Sequence, residues 1–385
     1  MKILLFGGIL SRVDWQQCTN GSDEIRESNR KRGLALAGLL LGIGLLLIGA
    51  AVIIRPKIMG FSFGSGRSFT GMKFNEDFSV TITEKPNSLG IDGLNGKVEV
   101  VGWDRDYVEI RVEQSIRVAD ENLKEEYLEK TRPNINAADG KLTVIVPRLS
   151  QTNEFMGQAT TIYMNIPSET VEDILVNTSN GAMVFKSLNA SIRGRSSNGG
   201  LELISVSGSM TLETSNSPIF VEECAGVMEL RSTNGAFEGK GISGTLIIET
   251  SNAPITIERG TLSVSANSTN GAITVTEVTL IGDSNSFETS NAKIVCDAIL
   301  PDLGVLELLS TNGSIGIFLD DSIRAEISAS TTNGTVNLKG LTVGVISSSS
   351  TSLRGTLNGG NGLLITMKTS NSNISIDKPN AEDSI

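Results

Sequence analysis

The chain has 385 residues, a formal net charge of −11, 4% aromatic residues and no histidine. The lack of histidine removes the commonest metal ligand and the side chain most often used as a general acid or base, which argues against many enzyme classes. Residues 1–57 carry eight basic and four acidic residues, a net of +4, so residues 58–385 carry −15. Such an acidic field repels phosphate backbones, and we expect no nucleic-acid partner.

Residues 33–54 form an uncharged apolar segment, which is long enough to cross a hydrocarbon core of about 30 Å as a helix. Four basic residues precede the segment within residues 26–32, and only Arg55 and Lys57 follow it closely. Because basic residues are retained on the cytoplasmic side, this bias predicts a single-pass membrane protein with a cytoplasmic N-terminus and an extracytoplasmic C-terminal domain.

The expected domain organisation follows from this span. Residues 1–32 are a cytoplasmic segment, 33–54 a transmembrane helix, 55–74 a linker, 75–378 a β-solenoid and 379–385 a tail, with a helical insertion near residues 119–130. Lys31, Arg32 and Gly33 before the apolar segment also resemble the cleavage region of prepilin-type filament subunits. That alternative predicts a mature chain beginning at Leu34.

The three cysteines, Cys18, Cys224 and Cys296, have no metal-type spacing, and their odd number cannot form a closed set of disulfides. We expect free thiols. No catalytic residue, cofactor or metal site is predicted from the sequence.

A (Ser/Thr)-(Ser/Thr)-Asn motif recurs along the C-terminal half of the chain. Its asparagines are Asn180, Asn198, Asn216, Asn234, Asn252, Asn270, Asn291, Asn312, Asn333 and Asn371. Their numbers differ by 18 in the first five intervals, by 21 in the next three and by 38 in the last. The triplet at 351–353 fits a degenerate copy within the last gap, and an early copy is centred on Asn95. A period of about 20 residues is typical of a solenoid.

The residues around each asparagine alternate in polarity. Positions three and five residues after it are apolar, as in Leu201 and Leu203, and so are the positions six and four residues before it, as in Met210 and Leu212. Gly239 is an exception. Two strands of period two therefore flank each asparagine with their apolar sides facing one interior. The predicted fold is all-β, a parallel β-helix of 18–21-residue coils preceded by one transmembrane helix.

Equivalent residues of successive coils stack about 4.8 Å apart, so like residues form ladders. We expect the asparagines to form a buried column of hydrogen-bonded amides. Three residues before the asparagine, Arg195, Glu213, Arg231 and Glu249 alternate in charge on consecutive coils. Opposed charges on neighbouring strands contribute about 0.2 to 1 kcal/mol per pair. The sequence thus predicts a second, charged ladder on the surface.

Several motifs occur in a characteristic order. A membrane span is followed by a GxNGxVxV strand, a GKLTVIVP strand, IYMNIP and repeated TSNGxIxV coils. This order resembles the bacterial and archaeal family described as putative adhesins, over residues 75–376. The resemblance implies a β-helical domain at the cell surface or envelope and no established catalytic residues.

Three functions are compatible with these features. The first is a surface binding or adhesion module for a cell-surface glycan or envelope protein, and the second is a structural or scaffolding element that self-associates. The third, a carbohydrate-active enzyme, would use carboxylates such as those of Asp320 and Asp321, of Asp104 and Asp106, or of Asp283. Adjacent aspartates on a strand, such as Asp320 and Asp321, face opposite sides and cannot both act on one sugar. Each of the five aspartates is better explained as a turn residue or a solvated residue. We therefore expect no enzyme activity.

Overall fold

The computed structural model describes residues 71–379, which are built almost entirely of short strands. The strands that precede the regular coils are β1 (Met72–Ile82), β2 (Ser88–Asp92), β3 (Val98–Trp103), β4 (Val108–Val118), β5 (Asn134–Ala138), β6 (Lys141–Ile145) and β7 (Phe155–Pro167). A 3-10 helix (Glu121–Leu123) and the helix α1 (Lys124–Thr131) follow β4.

The strands of the coils continue in chain order. They are β8 (Asp173–Thr178), β9 (Met183–Asn189), β10 (Ser191–Ser196), β11 (Leu201–Thr214), β12 (Ile219–Glu222), β13 (Ala225–Ser232), β14 (Phe237–Thr250), β15 (Ile255–Ser268), β16 (Ile273–Leu280), β17 (Ser284–Thr289), β18 (Ile294–Ile299), β19 (Gly304–Ser310), β20 (Ile315–Phe318), β21 (Ala325–Ser330), β22 (Val336–Lys339), β23 (Gly344–Ser348), β24 (Ser352–Leu357), β25 (Leu363–Lys368) and β26 (Ile374–Asp377).

The predicted transmembrane helix at 33–54 and the cytoplasmic segment at 1–32 lie outside the described residues, as do most of the linker and tail. Between residues 71 and 379, no helix has the length and apolar character needed to span a bilayer.

Each regular coil contributes one strand to each of two stacks of parallel strands, and the predicted β-solenoid is confirmed. The first sheet has the order β6-β2-β8-β10-β11-β13-β14-β15-β17-β19-β25-β21, and the second has the order β7-β3-β9-β11-β12-β14-β15-β16-β18-β20-β26-β22. Strands β11, β14 and β15 belong to both, because each runs through the corner between the two sheets.

That corner lies seven residues after the asparagine and takes a left-handed conformation. Its residues have φ between 51° and 65°, and they are Ser187, Ser205, Glu223, Gly241, Arg259 and Glu277. A non-glycine residue in this region costs free energy on the order of 1 kcal/mol, which the stacked sheets on either side must offset.

The inward residues are the ones that the alternation predicts. Met210, Leu212, Leu201 and Leu203 are each no more than 2% exposed and belong to one continuous core that runs along the solenoid. The exception at Gly239 has a packing reason. A Cβ atom there would lie 2.6 Å from Ile242 and 2.9 Å from the ring of Phe237, so the large ring already occupies that space.

The N-terminal end of the solenoid is covered by an insertion within the first coil. Strands β2 and β3 pair directly with β8 and β9 of the next coil. The chain between β3 and β8 forms α1, the hairpin β5-β6 and the strands β4 and β7, and β1, which precedes β2, completes the antiparallel sheet β1-β4-β7. Helix α1 packs Leu128 against Ile116, Val118 and Phe155, and the Nε2 atom of Gln114 donates to the Leu128 carbonyl at 2.6 Å. The predicted helical insertion near 119–130 corresponds to the 3-10 helix and α1.

At the C-terminal end the coils do not stack in chain order. Strand β25 pairs with β19 on one side and with β21 on the other, and β26 lies between β20 and β22 in the same way. The last coil of the sequence is therefore inserted between two earlier ones. The prediction of a degenerate coil at 351–353 is wrong. Strand β24 instead pairs antiparallel with β21 and forms a hairpin with β23 at the end of the first sheet.

Candidate binding surface

The asparagine ladder runs the length of the solenoid at the bend between the first and second sheets. Each Nδ2 atom donates to the Oδ1 atom of the neighbouring coil over 2.6–2.8 Å. In stacking order the members are Asn95, Asn180, Asn198, Asn216, Asn234, Asn252, Asn270, Asn291, Asn312, Asn371 and Asn333. The predicted ladder and the early copy at Asn95 are both confirmed.

The expected burial of this ladder is wrong, since its amides lie at the solvent-exposed outside of the bend. The buried polar column consists of the hydroxyl residue two positions earlier in each coil. At Ser232, for example, the Oγ atom accepts a hydrogen bond from the Gly235 N–H at 2.8 Å. The same residue in the previous coil, Thr214, donates its hydroxyl to the Gly199 carbonyl at 2.8 Å. The short hydroxyl reaches the backbone inside the bend, which leaves the longer amide outside.

The charged ladder lies on the outer face of the first sheet. The Arg195 Nη2 atom lies 3.1 Å from Glu213 Oε1, and the Arg231 Nε atom lies 2.9 Å from Glu249 Oε2. Arg231 also pairs with Glu229 at 2.5 Å, and these hydrogen bonds raise the pKa of the guanidinium. Exposed pairs of this kind typically contribute about 0.2 to 1 kcal/mol each. The charged ladder therefore contributes little to the free energy of unfolding. Its main effect is a fixed pattern of charges on this face.

The carboxylates considered for catalysis lie in connections between strands. Asp320 precedes β21, and hydrogen bonds from the Ser322 hydroxyl and from the Ser322 N–H, the latter at 2.8 Å, lower the pKa of its carboxyl group. Its neighbour Asp321 pairs with Lys378, and Asp106, in the same turn as Asp104, pairs with Lys85 at 2.9 Å. The peptide carbonyl of Asp283 accepts a backbone hydrogen bond from the strand β19. Among residues 71–379, no three His, Cys, Asp or Glu side chains converge as metal ligands would.

Two groups of aromatic and basic side chains near the N-terminal end were missed in the sequence. The rings of Trp103 and Tyr107 meet edge to face with centroids 4.9 Å apart, and the Arg105 guanidinium lies 4.8 Å from the Trp103 ring. On the second sheet Lys97 lies 4.7 Å from the centre of the Tyr163 ring. Trp103, Arg105 and Tyr107 lie within five residues of one another in the sequence and could have been identified there. Lys97 and Tyr163 are far apart in the sequence and meet only because β3 pairs with β7.

A groove with a volume of about 380 Å³ lies on the outer face of the first sheet. We call it the Gly90 groove, because Gly90 lies at its centre between Thr143 of β6 and Leu175 of β8. The other side chains along it include Asp92, Lys141, Ile145, Asp173, Asn177 and Arg193. Nothing in the repeat predicts this groove, since β6 belongs to the insertion and β2 to the first coil.

Cys224 and Cys296 are free and buried, with 1% and 0% exposure. Burial raises the pKa of both thiols, and it raises that of Cys296 to about 12. Since the thiolate is the reactive form, we expect neither residue to react with iodoacetamide at pH 8 while the chain is folded. Peptide mapping by mass spectrometry should show labelling of both only after denaturant is added. Rapid labelling of Cys296 in the native chain would contradict the buried register.

No protein-family model matches the chain, and no curated protein matches it. Several solved structures are similar to it. A "putative cell adhesion protein" from Clostridium sporogenes is 11% identical and aligns 79% of this chain with 100% of its own, with a TM-score of 0.18. A "putative lipid binding protein" from Parabacteroides distasonis is 14% identical over 80% of this chain and 98% of its own, with a TM-score of 0.36.

A third similar structure is a "putative adhesin" from Parabacteroides merdae. It is 13% identical over 80% of this chain and 97% of its own, with a TM-score of 0.35. No residue role follows from likenesses of this size. Two of these similar structures are thus described as a cell adhesion protein and an adhesin. The sequence motifs of this chain resemble the family with the same description.

Proposed function

We propose that the chain is a membrane-anchored, extracytoplasmic binding module that adheres to an extended ligand, either a cell-surface glycan or an envelope protein. The observation that carries this proposal is the outer face of the first sheet. Twelve strands stack there without interruption, which gives an exposed surface roughly 50 Å long. Regular stacking fixes the spacing of its side chains, and solenoids commonly use such faces for extended partners.

Charge and anchoring support the same role. Residues 58–385 carry a net charge of −15, so the ligand is expected to be neutral or basic along most of its length. The apolar segment at 33–54 would hold the module at the membrane, and the basic residues before it would keep the solenoid on the extracytoplasmic side.

The test uses the full chain reconstituted in lipid nanodiscs and probed with a panel of cell-surface glycans and purified envelope proteins. Saturable binding of at least one ligand is expected, and empty nanodiscs provide the blank. Protease treatment of intact cells should remove the solenoid if it lies outside the membrane. A panel without any binding, or complete protection from protease, would overturn the proposal.

A second candidate function, self-association as a structural element, is favoured by the strand β23. Among the described strands it pairs only with β24, so its other edge offers unpaired backbone groups. Val345 and Ile346 on it are 54% and 65% exposed, and residues 341–353 include no charged side chain. Natural sheets usually protect such edges with charges, prolines or covering segments. The partner for this edge would be the same strand of a second copy.

Introducing a charge on this edge should separate such copies. Val345→Lys together with Ile346→Lys is expected to convert an associated form to monomers in sedimentation velocity, because each new charge would have to be buried in the contact. Val227→Lys is a matched control, since Val227 is 52% exposed but lies on β13 in the interior of the sheet. A wild-type chain that sediments as a monomer at high concentration would exclude this function.

A further inference from the structure

The Gly90 groove exists because one strand lacks a side chain where its neighbours carry one. In the row that crosses β6, β2 and β8, Thr143, Gly90 and Leu175 lie side by side in register. The inward neighbours Leu89 and Ile91 are 2% exposed, so the groove lies on the outer side of the sheet, above a packed core.

Neither the backbone nor the packing requires glycine at this position. A Cβ atom on Gly90 would lie 3.7 Å from Thr143 Cγ2, an ordinary van der Waals contact, and its φ is outside the left-handed region. The glycines at the ladder bends differ, since a Cβ atom at Gly235 would come within 1.7 Å of the Ser217 carbonyl oxygen. The space above Gly90 is therefore a feature of the surface that a larger residue would fill.

The walls of the groove are apolar. Leu175 is 44% exposed and Ile145 is 48% exposed, and both belong to strands whose other outward residues are mostly polar. Large exposed aliphatic side chains beside a concave site are typical of surfaces that bind an apolar group. The floor of the groove is the bare backbone at Gly90, which suits a flat ring or a chain.

The charges around the groove are mostly neutralised by one another. Arg148 lies 3.4 Å from Asp92, and Arg193 lies 4.0 Å from Asp173. Lys141 is exposed at the edge of the groove and has neither an ion pair nor a side-chain hydrogen bond to any residue between 71 and 379. Among the described residues that line the groove, the free charge beside the apolar walls is therefore a single cation.

We propose that the Gly90 groove binds a small organic acid that joins one carboxylate to an apolar ring or short chain. The apolar part lies over Gly90 between Leu175 and Ile145, and the carboxylate pairs with Lys141. This inference goes beyond the proposed adhesion function, since it assigns a separate class of small ligand to one end of the outer face.

Phenylpropionate, with its uncharged analogue phenylpropionamide, is a suitable probe. Binding to the full chain in nanodiscs would be followed by saturation-transfer NMR, with empty nanodiscs subtracted. Gly90→Leu should weaken binding of both probes by roughly tenfold or more, because the leucine occupies the apolar site. Lys141→Gln should weaken binding of the acid by about two- to fivefold, as expected for an exposed ion pair, and leave the amide unchanged.

Gly316→Leu is the matched control. Gly316 also faces outward on a strand, with open space around it and only the Ile294 carbonyl oxygen at 4.0 Å. Both leucine variants should unfold at the same temperature as the wild type, and Gly316→Leu should retain full binding. Equal affinity of wild type and Gly90→Leu, equal loss in Gly316→Leu, or no binding by the wild type would overturn the groove proposal.

The outcomes for the two proposals are separable. If the glycan and protein panel yields a ligand whose binding Gly90→Leu does not change, and phenylpropionate does not bind, the groove proposal alone fails. If phenylpropionate binds through Gly90 and Lys141 while the panel yields nothing, the adhesion function alone fails.

Discussion

Truncating the chain after Leu357 is expected to unfold the whole C-terminal end of the solenoid, and not only the coil that is removed. The deletion takes away β25 and β26, so β22 loses its partner strand, and β21 keeps only the antiparallel hairpin. It also removes five fully buried side chains, namely Leu363, Ile365, Met367, Ile374 and Ile376. Each contributes about 1.5 to 3 kcal/mol by burial. Hydrogen exchange should show loss of protection across residues 325–339, with β11 to β16 unchanged.

Disulfide cross-linking tests the order of the coils independently. In the structure Glu307 and Thr366 are in-register neighbours on the outer face, whereas Ser328 lies one strand beyond Thr366. Glu307→Cys with Thr366→Cys should therefore cross-link on mild oxidation, since neighbouring strands are about 4.8 Å apart. Glu307→Cys with Ser328→Cys should not, at about 9.6 Å. If the coils stacked in chain order, Glu307→Cys with Ser328→Cys would cross-link instead.

Replacing Gly235 with alanine is expected to lower the free energy of unfolding by on the order of 3 kcal/mol. The added Cβ atom would lie 1.7 Å from the Ser217 carbonyl oxygen and 2.8 Å from the Pro218 nitrogen of the coil below. Because these are backbone atoms held within the stack, the coils would have to separate locally. The hydrogen bond from the Gly235 N–H to Ser232 would weaken at the same time. Urea unfolding followed by circular dichroism measures the change.

Two substitutions control for this effect. Ala253→Ser changes the equivalent position of the next coil, where serine already occurs two coils earlier as Ser217, so it should change stability by less than about 0.5 kcal/mol. Gly316→Ala adds a methyl group to a strand glycine with open space around it. Unchanged stability in Gly235→Ala would mean that the bends are less tightly stacked than the structure shows.

The repeat predicts the coils well because their register is local. Alternation around each asparagine identifies the inward residues, and equal spacing places them in columns, as Met210 and Leu212 illustrate. The side of the bend on which the amide lies cannot be read in the same way. A column of asparagine amides could satisfy itself on either side of the backbone, and the choice depends on the hydroxyl of residues such as Ser232, which fills the inner site.

The sequence does indicate that the last coil is inserted between two earlier ones, but the intervals between the ladder asparagines do not show it. The interval from Asn312 to Asn333 equals the two intervals before it, so spacing alone predicts stacking in chain order. The residue after the asparagine is more informative. In the stacking order from Asn198 it alternates between glycine and a larger residue, as Gly199, Ser217, Gly235, Ala253, Gly271, Ala292, Gly313, Ser372 and Gly334. Chain order would place Gly313 and Gly334 together.

The Gly90 groove could not be predicted, because its walls come from distant parts of the chain. Gly90 is far from Thr143 in sequence and farther still from Leu175, and only the pairing of β2 with β6 and β8 brings them into one row. From the sequence alone, a glycine in a strand could mark a bulge, a close backbone contact or an open space on the surface. Only the residues beside it on the neighbouring strands show which of these applies.

The asparagine ladder also gives the solenoid a direction. Every amide donates from its Nδ2 atom toward the N-terminal end, where Asn95 passes the last donor to the Gln158 carbonyl, and the opposite end terminates in the Oδ1 atom of Asn333. Aligned amides polarise one another, so their dipoles add along the column. One end of the column is a donor and the other an acceptor. A further coil could extend it in only one orientation, so the polarity of the column, as well as its shape, defines how the stack can grow.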